Sequence, residues 1–229
     1  MINTADTQNT SPNPNATVQS KPLRLFANII SYLCHPVFMP TLMAYVLYKL
    51  APVSFSGVNE HQFGLWWILS IAITTLFFPL FSIGLLKPLG FIKDFKMPSA
   101  KDRIIPLMIS MTFYFWVSHV FNSMPNVNVP LILKVLLLGN FWGIIVLYLI
   151  NIFTKVSMHT AAAGGMIGNI IVLMIISPVD MEKPFFIALI LAGIIGTARM
   201  ILGAHQKGDI WLGYIVGILV QLGAYIYMK

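Results

Sequence analysis

Charge is scarce in this chain. Only 9% of its 229 residues are charged, against about 25% in an ordinary soluble domain, while 58% are hydrophobic. That balance argues against a water-soluble fold. Cysteine is scarcer still: Cys34 stands alone, so no intrachain disulfide can form, and no cysteine and histidine cluster has the spacing of a zinc site. Also missing are an internal repeat, a second domain, and the period-2 alternation that a membrane barrel requires. Residues Met1 to Ser20 show no basic-then-apolar signal pattern. Polar and rich in Asn, Thr and Pro, the first 22 residues read as a disordered tail.

What is present is a series of apolar runs from Leu23 to the end. Several reach the ~20 residues that a helix needs to cross a ~30 Å hydrocarbon layer. Spans are predicted at 63–86, 104–121, 129–153, 160–177, 184–202 and 210–228, with an uncertain one at 23–50 that Pro36 and Pro40 interrupt. Backbone groups facing lipid must be satisfied internally. The expected fold is therefore all-α, a polytopic transmembrane helical bundle of about six or seven spans in one domain over 23–229. Small residues cluster at 161–168 and 192–196, which predicts that these two helices pack in the bundle interior. Asn140, Asn151 and Asn169 are expected to bond between helices.

Ionisable groups at a membrane edge are costly, so each is a functional candidate. Three groups stand out. One is the loop 87–106, with Lys93, Lys96, Lys101 and Arg103 around Asp94 and Asp102; the second is Lys155 to His159; the third runs from Arg199 to Asp209. Two predicted spans separate each group from the next, so all three return to one face. Cationic side chains from three segments suit a tetrahedral oxyanion, because phosphoryl transfer is mostly positioning and charge neutralisation. Two imidazoles supply what remains, one attacking phosphorus and the other donating to the leaving oxygen. The spacing His205-x3-Asp209 puts those two side chains one helical turn apart, where the carboxylate can orient the imidazole. His119, His61, and His35 beside Cys34 have no partners at metal-ligand spacing and read as structural or solvent-facing.

These residues resemble the type-2 phosphatidic acid phosphatase superfamily, which also includes the vanadium haloperoxidases. Its signature reads K-x6-R-P, P-S-G-H and S-R-x5-H-x3-D. This chain offers Lys96-x6-Arg103, then Val156-Ser157-Met158-His159, then Ala198-Arg199-x5-His205-x3-Asp209, in the same order. The resemblance covers about residues 63 to 228. It implies a metal-independent lipid phosphatase without a cofactor, in which His205 forms a phosphohistidine, Asp209 orients it and His159 protonates the leaving group. Lys96, Arg103, Ser157 and Arg199 would hold the phosphate. The chain departs from the pattern at Ile104 in place of proline, Met158 in place of glycine and Ala198 in place of serine. Lys101 is a second candidate for the Lys96 contact.

The expected substrate is a lipid phosphate or diphosphate, of prenyl or glycerophospholipid type, presented at the bilayer surface; nucleic acid is not an expected partner. An anion transporter, or a non-catalytic lipid-binding homologue using the same basic cluster, is the alternative. The expected location is a bacterial cytoplasmic membrane. Basic residues favour the motif-bearing face, but phosphate binding accounts for three of them (Lys96, Arg103 and Arg199), so no side is assigned. Oligomeric state is left open.

Overall fold

A computed structural model of the chain describes residues 20–55, 63–92, 103–124 and 128–229. Among them there is no strand, and six helical rods are long and apolar enough to cross a membrane. The chain is an all-α membrane bundle.

The N-terminal apolar stretch forms two short helices, α1 (Lys21–Leu33) and α2 (Met39–Leu50). Pro22 and Pro40 lie in their first turns, where a missing N–H is not needed. Lys21 and Pro22 thus begin a helix inside the stretch read as tail, and residues 1–19 lie outside the described residues. At ~1.5 Å per residue the two helices reach about 20 and 18 Å, short of the ~30 Å hydrocarbon layer. Leu25, Phe26, Ile29 and Tyr32 of α1 are exposed, while buried Ala27 and Ser31 face α8.

The first full crossing combines α3 (Phe63–Ala72), a π-helical turn (Ile73–Phe77) and α4 (Phe78–Leu86). Pro79 explains the wide turn. It brings no N–H to the Thr75 carbonyl one turn back, and its ring crowds that carbonyl. The hydroxyls of Thr74 and Thr75 turn back onto the carbonyls of Ser70 and Ile71. Four further crossings pack around or beside one another as α5 (Ile104–Ser123), α6 (Leu131–Phe153), α8 (Glu182–Ile201) and α9 (Lys207–Met228), with α7 (Met158–Ile176) at the centre.

Helix α7 touches α2, α6, α8 and α9, and 67% of its apolar window is buried, against 28% for α8. Its closest neighbour is α9. A Cβ on Gly217 of α9 would overlap the Ala161 carbonyl, and one on Gly164 of α7 would overlap the Tyr214 backbone. The interior placement expected for the 161–168 cluster holds. For 192–196 it needs correction: Ala192, Ile195 and Gly196 turn inward, but Gly193 has nothing within 4 Å and α8 lies at the periphery. The partner surface for α7 comes instead from Gly213 and Gly217 of α9, because small residues lower the approach distance wherever they face each other.

Of the intramembrane amides, Asn140 of α6 accepts from Gln221 of α9 at 3.0 Å. Asn169 differs from expectation. Its Nδ2 bonds to the Gly165 carbonyl of its own helix at 2.8 Å.

Candidate active site

Helices α5, α7 and α9 all begin at one face, and α6 and α8 return to it. The three N-termini bring their positive dipole ends together there, a setting that favours an anion.

The α8–α9 turn is built by Gly203. With φ at +64° it adopts the left-handed conformation that glycine takes without a Cβ penalty. Its N–H bonds to the Met200 carbonyl at 2.9 Å and that of Ala204 to the Arg199 carbonyl at 3.2 Å, closing α8 with a Schellman motif. The chain then re-enters a helix within a few residues, and His205 is held in the turn. Its side chain is only 4% exposed. His205 Nδ1 lies 3.4 Å from Asp209 Oδ2. Since a carboxylate accepts, Nδ1 carries the proton and Nε2 keeps its lone pair. Asp209 is also the N3 residue of α9, where its carboxylate accepts from the Gln206 N–H at 3.1 Å in a reciprocal capping box. Capping and orienting the imidazole therefore fall to the same oxygen. Burial, then the charge of Arg199, push the His205 pKa below the ordinary imidazole value, with the Asp209 bond opposing.

Ser157 starts α7. Its Oγ accepts from the Thr160 N–H at 3.4 Å, its N–H donates to the Asp209 carbonyl at 3.2 Å, and the residue is fully buried. Hydroxyl and amide are thus both engaged in fixing helix starts, and Ser157 does not line the cavity. The extended conformation at an N-cap turns that oxygen toward the N3 amide, so the hydroxyl expected to contact phosphate serves here as the N-cap of α7. Met158, the next residue, does line the cavity.

His159 and Arg199 are both tied to α1. His159 Nε2 is 3.1 Å from the Ser31 carbonyl, and Arg199 Nη1 donates to Ser31 Oγ at 3.3 Å. The Nε of Arg199 is buried without a partner among the described residues. Lys96, the remaining expected contact, lies outside the described residues with Lys93, Asp94, Lys101 and Asp102.

Arg103, His159, Arg199 and His205 line one cavity of about 420 Å³. From this polar end it continues between α2, α4, α5, α6, α7 and α9, along walls that include Met43, Leu80, Leu107, Leu136, Ile144 and Val220. One cavity residue differs from the structural or solvent-facing place that its sequence context suggests. His35, in the break between α1 and α2, lines the same space, with its ring centroid 5.4 Å from that of His159 and the two planes nearly perpendicular. No local signal marks it, since its neighbours come from distant parts of the chain. Among the described residues no three His, Cys, Asp or Glu side chains group as a metal-holding set. No family model, curated protein or solved structure matches the chain.

Proposed function

We propose that the chain is a membrane phosphatase that releases phosphate from a lipid phosphomonoester or diphosphate through a phosphohistidine on His205. One observation carries the reading. An imidazole whose Nδ1 is held by a carboxylate, leaving Nε2 as nucleophile, opens onto a cavity with two arginines at one end and mostly apolar walls beyond, interrupted by Asn140, Asn169 and Gln221. A phosphate head matches the first part and a hydrocarbon tail the second, which favours a lipid over an inorganic ion.

In the proposed reaction Nε2 of His205 attacks phosphorus as the bond to the lipid oxygen breaks, and the imidazole becomes positively charged. Asp209 stabilises that charge and keeps the ring in place. Arg103 and Arg199 neutralise the equatorial oxygens, aided by the N-termini of α5, α7 and α9. The resemblance gives His159 the leaving-group side, but its Nε2 is engaged by the Ser31 carbonyl at 3.1 Å, so the leaving oxygen needs a different donor. Water then attacks the phosphohistidine, yielding inorganic phosphate and returning His205 to its starting form.

The test is phosphate release by the purified chain in detergent, from lipid monophosphates and diphosphates with excess chelator, beside His205→Ala prepared identically. Chelator-resistant release that collapses in the variant is the expected result. A folded parent that releases nothing from either class overturns the reading and leaves the anion-binding alternative.

A further inference from the structure

His35 sits where the character of the cavity changes. Residues immediately after it, Pro36, Val37, Met39 and Met43, line the apolar part, while Arg199 and His159 beside it belong to the polar end. In a lipid bound with its transferred phosphate at His205 and its tail along the apolar walls, the oxygen joining that phosphorus to the rest of the molecule, the ester oxygen of a monophosphate or the bridging oxygen of a diphosphate, lies toward that junction. Negative charge develops on this oxygen as the bond to phosphorus breaks, and a hydrogen-bond donor aimed at it is worth most in the transition state.

Two imidazoles reach the junction, and their hydrogen bonds differ. The Ser31 carbonyl can only accept, so His159 Nε2 must carry a proton and spend it on that carbonyl at 3.1 Å. In the neutral ring this leaves only the Nδ1 lone pair. The Val37 backbone N–H can only donate, and it points at His35 Nδ1 from 3.4 Å. His35 Nδ1 is therefore the lone-pair atom and Nε2 carries the proton, with no hydrogen bond engaging Nε2 among the described residues. Burial, then Arg199, lower the His35 pKa, in keeping with a neutral ring.

We infer that His35 contacts the substrate, its Nε2–H donating a hydrogen bond to the oxygen that links the transferred phosphorus to the lipid. This rests on the phosphatase reading. His35 stabilises charge without surrendering its proton: the phosphorus–oxygen bond breaks, His205 Nε2 bonds to phosphorus, and the electron pair stays on the departing oxygen. A departing phosphate keeps that pair; a departing alkoxide takes a proton from water. His159 then acts as a positioning residue that ties α1 to the site.

The role separates from general acid catalysis by what replaces it. Gln can present an amide N–H where Nε2–H stands but cannot exchange protons as an imidazolium does. Phosphate release is measured for the parent, His35→Ala and His35→Gln on farnesyl diphosphate, farnesyl monophosphate and p-nitrophenyl phosphate, each protein first checked for native elution in detergent. Expected is a loss of about 100-fold on both farnesyl substrates for His35→Ala. At least tenfold of it returns in His35→Gln, and the loss is smaller on p-nitrophenyl phosphate, whose leaving oxygen delocalises its own charge. Equal losses for Ala and Gln, equal losses on all three substrates, or no loss at all overturn the assignment while leaving His205 chemistry intact. A parent inactive on all three substrates overturns the phosphatase reading, and the role of His35 falls with it.

Discussion

His205 and Asp209 are joined through an oxygen that also caps a helix: Asp209 Oδ2 lies 3.4 Å from His205 Nδ1 and 3.1 Å from the Gln206 amide. Asp209→Asn separates the two duties. An Asn oxygen can still accept from Gln206, but it carries no charge to stabilise an imidazolium, and its amide can turn a donor toward Nδ1 and reverse the tautomer. Phosphate release is expected to fall about 10³- to 10⁴-fold with little change in melting temperature. Asp209→Ala removes the cap as well, at about 1 kcal/mol, and should melt earlier. Parallel activity and thermal-unfolding measurements check both; equal melting of the two variants would deny the carboxylate its capping share.

The His205 pKa, pushed down by burial and then by Arg199, has a direct kinetic sign. Below that pKa Nε2 is protonated and cannot attack, so activity lost in acid is lost as His205 gains its proton. The acid limb of kcat/KM should fall below the unperturbed imidazole value of 6.5. Arg199→Gln removes a cationic neighbour, so the limb moves up in pH even as overall activity drops. The profile must be corrected for the second ionisation of the phosphate ester, near 6. A limb that stays in place in Arg199→Gln would show that this charge does not set it.

Much of this architecture was legible because the bilayer imposes it. A rod that crosses hydrocarbon must be about 20 apolar residues long, and the predicted spans from residue 63 onward agree with the helices to within a few residues. Pro36 and Pro40 likewise marked the break that leaves α1 and α2 too short to cross. His205 and Asp209 were legible because a turn-length spacing in sequence becomes a contact in space. The rest depends on packing between distant segments. Nothing beside His35 in the chain announces that α1 and α2 bring it against His159, and Ser31 meets Arg199 and His159 only after α1 docks on α8. Ser157 at the start of α7 caps the helix through Thr160, a duty that depends on where the helix begins and not on residue type alone.

Ser31 offers a test of how α1 serves the site. Ser31→Ala deletes the hydroxyl that accepts from Arg199 and keeps the backbone carbonyl that accepts from His159. The loss of one such bond, about 1 kcal/mol, corresponds to roughly a fivefold drop in kcat/KM. Leu25, 62% exposed on the outer side of α1, serves as a control, and Leu25→Ala should stay within about twofold of the parent, since surface changes away from such contacts are worth under ~0.5 kcal/mol. Kinetics on one lipid phosphate, with both variants in the same detergent, compare them. Equal effects would mean that α1 influences the site only through its attachment to the membrane.

The last relationship is between α7 and α9, whose N-termini carry His159 and Asp209. The three nearest neighbours of a Cβ at Gly217 are all backbone: the Ala161 carbonyl, the Gly165 nitrogen and the Gly164 carbonyl carbon. No side chain can swing aside, so Gly217→Ala must push the two helices apart. Overpacking of this kind costs about 1–3 kcal/mol, or roughly 3–10 °C in melting temperature for a chain of this size. Because the Ser157 N–H reaches across to the Asp209 carbonyl at the start of the same pair, the shift should also loosen His205 and lower activity. Gly193 is the control. A Cβ there meets nothing within 4 Å, and alanine in a helix is favoured over glycine, so Gly193→Ala should melt no lower than the parent. Thermal unfolding of both variants decides the matter: if Gly217→Ala melts with Gly193→Ala, the helices are not in backbone contact, and the close α7–α9 approach that positions the site is wrong.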